Sequence, residues 1–188
     1  IFIYIYMRPQ IYINELNIIR EKYPHFIENM NHICQEGFNR THDMIQSMKN
    51  PIVCYILVNH QVVGVSFGDI KYANIMKPMK NKIMYIHTIS VDKDFQGNGF
   101  STLMVKKLVK TYSKDHAMYM HVRVDDSNPN LAAIKSYEKC GFVLINADYV
   151  DRDDGPNCVM VLHKQIKQNI VNKKQKKHKK HKKLTYRK

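Results

Sequence analysis

The sequence predicts a mixed α/β (α+β) fold, a central twisted mixed sheet flanked by helices in a single domain. Three observations carry this prediction. Apolar residues recur at helical spacing over most of the first fifty positions, then give way after Asn50-Pro51 to a β-branched run. Between Ile83 and Lys139, strand-like and helix-like segments alternate, which requires parallel crossovers. A last pair of strand-like runs closes the order as a hairpin. The chain has 188 residues, 44% of them hydrophobic, enough for one domain with a sizeable core.

In chain order, Ile1 to Tyr6 (IFIYIY) is apolar but far short of the ~20 residues that span a bilayer. It lacks the basic flank and small-residue cleavage site of a secretory signal. It reads either as residues ahead of a start at Met7 or as a first, buried strand, and residues 1–13 are set apart as a strand or leader. Asn14 to about Lys49 carries Leu16, Ile19, Ile27, Met30, Ile33, Phe38, Met44, Ile45 and Met48 at mostly helical spacing, and Pro24 and Gly37 divide it. Ile52–Val58 and Val62–Ile70 form a hairpin about Asn59-His60. Ile83–Val91 is a strand, Leu103–Tyr112 an amphipathic helix and Met118–Val124 a strand. Leu131–Lys139 is a helix that Gly141 caps. Phe142–Asn146 and Cys158–His163 are strands joined by a polar loop containing Asp153-Asp154-Gly155-Pro156. The domain is expected over residues 14–163.

The net charge of +14 suggests a nucleic-acid binder until it is located. Residues 164–188 hold twelve Lys plus Arg and no acid, whereas residues 1–163 hold eighteen basic and sixteen acidic side chains. The body is therefore near +2 and the tail +12. The tail is low-complexity Lys, His and Gln with little to bury, so disorder is expected. Its segment Lys173 to Lys183 has no aromatic interleaving, so contact with nucleic acid or a ribosome would be weak and electrostatic, and a plain solvated tail is the blander reading. Nuclear localisation, an acidic membrane contact and self-acetylation are its other readings. Cys34, Cys54, Cys140 and Cys158 match no zinc-module spacing; reduced thiols in a cytoplasmic or nuclear compartment are expected, and no metal.

The strand ending at Val91 leads through Asp92-Lys93-Asp94-Phe95 into Gln96-Gly97-Asn98-Gly99-Phe100-Ser101 and then a helix. Two glycines with small or polar neighbours let backbone N–H groups converge at the positive end of that helix. Such a corner binds a phosphate or pyrophosphate; its plainer reading is a tight turn before a helix. Thr102 stands where a dinucleotide fingerprint needs its third glycine, and no Gly-Lys-Ser/Thr follows for a nucleoside triphosphate.

The stretch resembles the pyrophosphate-binding motif of the GNAT superfamily of acetyl-CoA-dependent N-acetyltransferases, with Gln96, Gly99 and Ser101 in register and Ser101 departing from the usual last residue. A second stretch, Asn130 to Phe142, resembles the family's N-x-x-A-x-x-x-Y-E-K-x-G-F at Asn130, Ala133, Tyr137, Glu138, Lys139, Gly141 and Phe142. Asn130 and Tyr137 are about two helical turns apart on one face, and Ala133 between them leaves room for a slender ligand. The resemblance covers about Ile52 to Leu162. It implies a GNAT fold that binds acetyl-CoA, with the pyrophosphate on Gln96, Gly97, Asn98, Gly99, Phe100 and Ser101. It also implies pantetheine along the backbone of Ile89 and Val91, and Asn130, Ala133 and Tyr137 beside it.

By the same resemblance an amine attacks the thioester directly. An α-amino group near pKa 8 is about 10% neutral at pH 7, so a proton must leave it, and the departing thiolate needs a proton or hydrogen bond. Tyr137 is implied for the thiolate. For the amine, Tyr85 and His87 lie two apart on one strand face and His121 lies on the next strand. Tyr85-Ile86-His87-Thr88 with Tyr119-Met120-His121-Val122 resembles protein N-terminal amine acetyltransferases, in which a Tyr and a His flank a water-mediated proton path. Ordinary strand aromatics and satisfied histidines are the plainer reading. Tyr85 and His121 are therefore candidates for catalysis, and His87 and Tyr149 for acceptor binding. Tyr149 to Gly155 is expected to be the loop between the last two strands; the four acids from Asp148 to Asp154 would attract a cationic amine or a basic peptide, and a solvated turn is the plainer reading. The expected function is acetylation of a protein or peptide amine, an N-terminus or a lysine. The alternatives are a small-molecule amine (polyamine, amino sugar, arylalkylamine) and a non-catalytic acetyl-CoA-binding module, against which Asn130 and Tyr137 argue.

Overall fold

The computed structural model describes residues 8–38, 51–72, 82–125, 128–150 and 157–162, and its first element is a strand that takes in residues expected to be helical. β1 (Gln10–Glu15) pairs antiparallel with β2 (Ile52–Val58) along its whole length, from Gln10 against Leu57 to Glu15 against Ile52. Asn14 and Glu15 belong to this strand, and the expected boundary between residues 13 and 14 falls inside it. The cause is a period-2 alternation, Ile11 and Ile13 against Tyr12 and Asn14, which a search at helical spacing passes over. Ile1 to Tyr6, the predicted helical residues 39–49 and the basic stretch 164–188 lie outside the described residues.

Helices α1 (Leu16–Lys22) and α2 (Pro24–Phe38) divide at Pro24, which sits in the first turn of α2 where its missing N–H is not required. α2 is described through Gly37 to Phe38, one residue past the expected break, and residues 39–50 lie outside the description. The glycine also serves close approach, because a Cβ there would overlap Ser90 Oγ. That hydroxyl donates to Ile33 O of α2 at 2.9 Å. Leu16, Ile19, Phe26, Met30 and Ile33 pack on Val53, Tyr55, Val65 and Phe67 as the core of one sheet face.

Asn59 and His60, at φ 53° and 63°, form the left-handed pair of a two-residue hairpin turn into β3 (Gln61–Tyr72). Antiparallel to β3 runs β4 (Lys82–Val91), and α3 (Phe100–Tyr112) crosses to the parallel β5 (Ala117–Asp125). The short β6 (Asn128–Pro129) pairs with β5, followed by α4 (Leu131–Glu138), β7 (Phe142–Val150) and β8 (Asn157–Leu162). The sheet order is β1-β2-β3-β4-β5-β8-β7. Gly141, at φ +90°, turns the chain out of α4 and donates its N–H to Glu138 O at 2.9 Å. β7 runs past the apolar run expected to end at Asn146, with register shifts at Leu144/Asn146 and Asn146/Val150. Tyr149, expected in a loop, is consequently on a strand; residues 151–156 lie outside the description.

The second sheet face is covered by Met104, Val105 and Leu108 of α3 with Ile134 and Tyr137 of α4, packed on Met84, Ile86, Met118, Met120 and Met160. Fully burying one such aliphatic side chain stabilises by about 1.5–3 kcal/mol, so these residues fix α3 and α4 to the sheet. Among the described residues no helix is long and apolar enough to cross a membrane.

Two irregularities in β4 position everything that follows. Gly68 of β3 pairs with Ile86 and Phe67 with Thr88, which leaves His87 as an extra residue, a β-bulge. Before it, Met84 and Ile86 face α3, so Tyr85 faces the α1/α2 side. After it the parity is reversed: Ser90 lies under α2, and Ile89 and Val91 pack toward α3. The β4–β5 pairing also stops at Ile86 against Met120, while the strands continue to Val91 and Asp125. A gap opens in the sheet where the bulge lies.

Candidate active site

A cavity of about 280 Å³ lies on the α3/α4 side of this gap. β4 contributes Ile89 and Val91; the turn and the start of α3 contribute Phe95, Gln96, Gly97, Gly99, Phe100 and Ser101. Asn130, Ala132, Ala133, Ser136 and Tyr137 complete the wall. All the residues expected at the co-substrate are brought together except Asn98. The Asn98 amide turns back into its own loop, donating to Phe95 O at 3.0 Å and Gln96 O at 3.3 Å, so it shapes the turn and does not line the cavity. Gln96 Nε2 donates to Val91 O at 3.1 Å and ties the loop to the strand.

The loop presents the backbone. Gly97 and Gly99 have φ +77° and +74°, a region costly for residues with a Cβ, and apart from the adjoining residues no described atom lies within 4 Å of where that Cβ would stand. Gly99 is the N-cap of α3, with no side-chain cap and no acid in the first turn of the helix. A 13-residue helix then offers unsatisfied N–H groups and a positive dipole end to an incoming anion. Beside it, Ser136 Oγ lies 3.1 Å from Ser101 Oγ and 2.8 Å from Thr102 Oγ1, joining α3 to α4 through three hydroxyls. Asn130 caps α4, its Oδ1 accepting from Ala133 N at 3.0 Å, which aims that helix end along the same wall.

Tyr137 is 8% exposed at the base of this wall. Burial pushes its phenol up to about 12, with Cys140 adding in the same direction. The hydroxyl therefore keeps its proton throughout the neutral range and can donate. Phe95, Ala132 and Ser136 were not anticipated. Ser136 could have been, since it stands three residues after Ala133 on the same helix face; the signal for Phe95 is only its place in the turn.

Across the sheet the second group assembles around the bulge. The rings of Tyr85 and His87 meet edge to face, centroids 4.2 Å apart, and His87 Nε2 lies 2.8 Å from Asp69 Oδ1 of β3. Tyr85 is in register with Tyr119 of β5, and the phenol of Tyr119 is raised by burial. Tyr85 and His87 thus share a face as expected, and Asp69 is an addition. His121 is on β5 with its backbone paired to Val159; the side chains of His121 and Tyr149 lie outside the described residues. Among the described residues, no group of three His, Cys, Asp or Glu side chains gathers as a metal site would require.

The chain matches the model of the acetyltransferase (GNAT) family over residues 17–142, more than half its length. No curated protein matches it by sequence. Solved structures share its fold at low identity. Arabidopsis thaliana NAA60 in complex with a bisubstrate analogue superimposes with a TM-score of 0.61 at 16% identity, over 81% of this chain and 98% of that one. The same plant protein in complex with acetyl-CoA gives 0.60 at 14% identity, over 81% and 97%. The ribosomal-protein-S18-alanine N-acetyltransferase from Escherichia coli gives 0.57 at 18% identity, over 81% and 93%. An aminoglycoside 6'-acetyltransferase type Ii gives 0.57 at 16% identity, over 80% and 95%.

Proposed function

Since the chain belongs to the acetyltransferase (GNAT) family and is an acyltransferase, we propose that it moves the acetyl group of acetyl-CoA onto a protein amine, an N-terminus or a lysine. The observation that carries this is the cavity itself, a glycine loop at a helix N-terminus continuous with the open edge of β4 and ending at a protonated phenol. These residues fit acetyl-CoA in chemistry and order. The Gln96–Ser101 loop and the start of α3 receive the pyrophosphate, and β4 beyond Ile86 offers backbone groups to the pantetheine amides. Acetyl-CoA, once bound, supplies a carbonyl activated by a thiolate leaving group.

Tyr137 supplies the proton for that thiolate. Its raised pKa keeps the donor loaded, and its burial strengthens the hydrogen bond it gives. Tyr85, His87 and His121 are assigned to the amine, with Tyr149 beside the acceptor. The protein-amine reading is supported by Tyr85 on β4 with a histidine on the neighbouring strand. It is further supported by the fold shared with NAA60 and with the alanine N-acetyltransferase of a ribosomal protein. The fold shared with an aminoglycoside acetyltransferase keeps a small-molecule arm in the test.

Radiolabelled acetyl-CoA would be offered with peptides having a free N-terminus and blocked lysine, N-blocked lysine peptides, polyamines and aminoglycosides. Label is expected on a peptide. Label confined to a polyamine or aminoglycoside overturns the protein-amine reading and leaves the transferase standing. CoA binding without transfer to any amine would leave only a binding module.

A further inference from the structure

We propose that Asp69 is a positioning residue that holds His87 as the proton acceptor for the incoming amine. The proposal rests on the reading of the chain as an amine acetyltransferase. Three observations support it. His87 is the extra residue of the bulge, at the point where β4 and β5 part. A bulge re-aims a side chain out of the regular pleat, and here it brings the imidazole onto the Tyr85 side of the gap, opposite the cavity. The 2.8 Å contact with Asp69 Oδ1 is made through Nε2. Finally, side-chain exposures of 17% for His87 and 24% for Asp69 leave the pair reachable from solvent yet shielded enough for its charges to matter.

The chemistry follows from which nitrogen is engaged. A carboxylate accepts, so neutral His87 carries its hydrogen on Nε2, and the lone pair is on Nδ1. The amine arrives as R–NH3+ and gives one proton to Nδ1. The freed electron pair forms the C–N bond as the C–S bond breaks. The second nitrogen proton goes with the sulfur, by way of the Tyr137 phenol, and His87 returns its proton to solvent. Asp69 touches neither substrate; it sets the tautomer and stabilises the imidazolium. Other titratable side chains described around β4 on this face are Tyr85, Tyr119 and Cys34 of α2. Burial raises Tyr119, and pushes Cys34 up to about 12, so those two stay neutral.

Nitrogen-15 spectroscopy on the full-length protein reads the tautomer without any acceptor, with the His87 signals identified by their loss in His87→Gln. The Nε2–H tautomer is expected in wild type, and the imidazole pKa is expected to fall in Asp69→Asn, because removing the carboxylate destabilises the imidazolium. An Nδ1–H tautomer, or the same pKa in both proteins, overturns the proposal. Kinetics then use the peptide that the acceptor screen selects. Asp69→Asn should lower kcat/KM for the peptide by about 100-fold, within the usual reach of acid–base groups. The acid limb of its pH profile should move to lower pH by about 1 unit. The KM for acetyl-CoA should stay within about twofold of wild type, and Asp69→Glu should restore much of the rate. Adding Asp69→Asn to His87→Gln should change nothing further, since one acts through the other. A profile that merely scales down without moving, or full additivity, makes the pair structural. If Asp69→Asn fails to fold, Asp69→Glu and His87→Gln carry the same comparison. Failure of the wild type to acetylate any amine defeats the functional reading on its own, whereas a wild type that turns over with an indifferent Asp69→Asn defeats only this proposal.

Discussion

Tyr137 concentrates the chemistry of the cavity wall in one hydroxyl. Tyr137→Phe keeps the ring that packs in the core and deletes the proton. CoA affinity should hold in a calorimetric titration, while turnover falls about 100-fold or more; a loss under tenfold would remove the proton-transfer role. Gly99 tests the other end of the site. Its φ of +74° suits glycine, and Gly99→Val adds a branched side chain beside the amides that face the anion. CoA affinity should fall by at least tenfold, and unchanged affinity would remove the loop from the site. Most of this wall was legible in the sequence because its residues sit at fixed offsets along one loop and one helix. The Asn98 side chain turns back into its own loop, and spacing does not tell which way an amide turns. Asp69 left no local trace: it lies 18 residues from His87, and only sheet register brings the two together.

Among the elements, α2 and β4 depend on an absence. Ser90 donates to Ile33 O only because Gly37 leaves space for its hydroxyl. Gly37→Ala improves helix propensity by up to about 1 kcal/mol. It also displaces the hydroxyl and leaves a buried group unsatisfied, which costs about 1–3 kcal/mol. A net loss of about 1 kcal/mol is expected in urea denaturation, and in a Ser90→Ala background the same change should instead stabilise. If the sign is the same in both backgrounds, this account of the glycine is wrong. Sequence patterning located most strands and helices of the body because their periods differ. It set residues 1–13 apart as a strand or leader but gave Asn14 and Glu15 of β1 to the helical run, and it overlooked the bulge at His87. A bulge alters pairing without altering composition, so it becomes visible only when the partner strand is aligned.

At the scale of the molecule, three buried acids make stability depend on alkaline pH. Burial pushes Cys34 and Cys54 from 9.0 up to about 12 and Tyr137 from 10.0 up to about 12. All three are neutral in both states below about pH 8, so they do not affect the balance there. Between about pH 9 and 12 the unfolded chain releases protons that the folded chain retains, and stability falls, by up to about 1.4 kcal/mol per pH unit for each group. The urea midpoint should therefore decline across this window. In Tyr137→Phe the decline between pH 10 and 12 should be shallower, and an unchanged slope would show that the phenol ionises freely in the fold.

One extra residue in β4 also decides how traffic moves through the enzyme. On the proposed assignment the sheet acts as a partition with a single window. The peptide comes to the window from the Tyr85 side and the thioester from the Tyr137 side. Each has its own door, so neither has to leave before the other enters, and both must be present for a turnover. Initial-rate plots should then intersect, as for a ternary complex, and the acetylated peptide can depart while CoA is still in its groove.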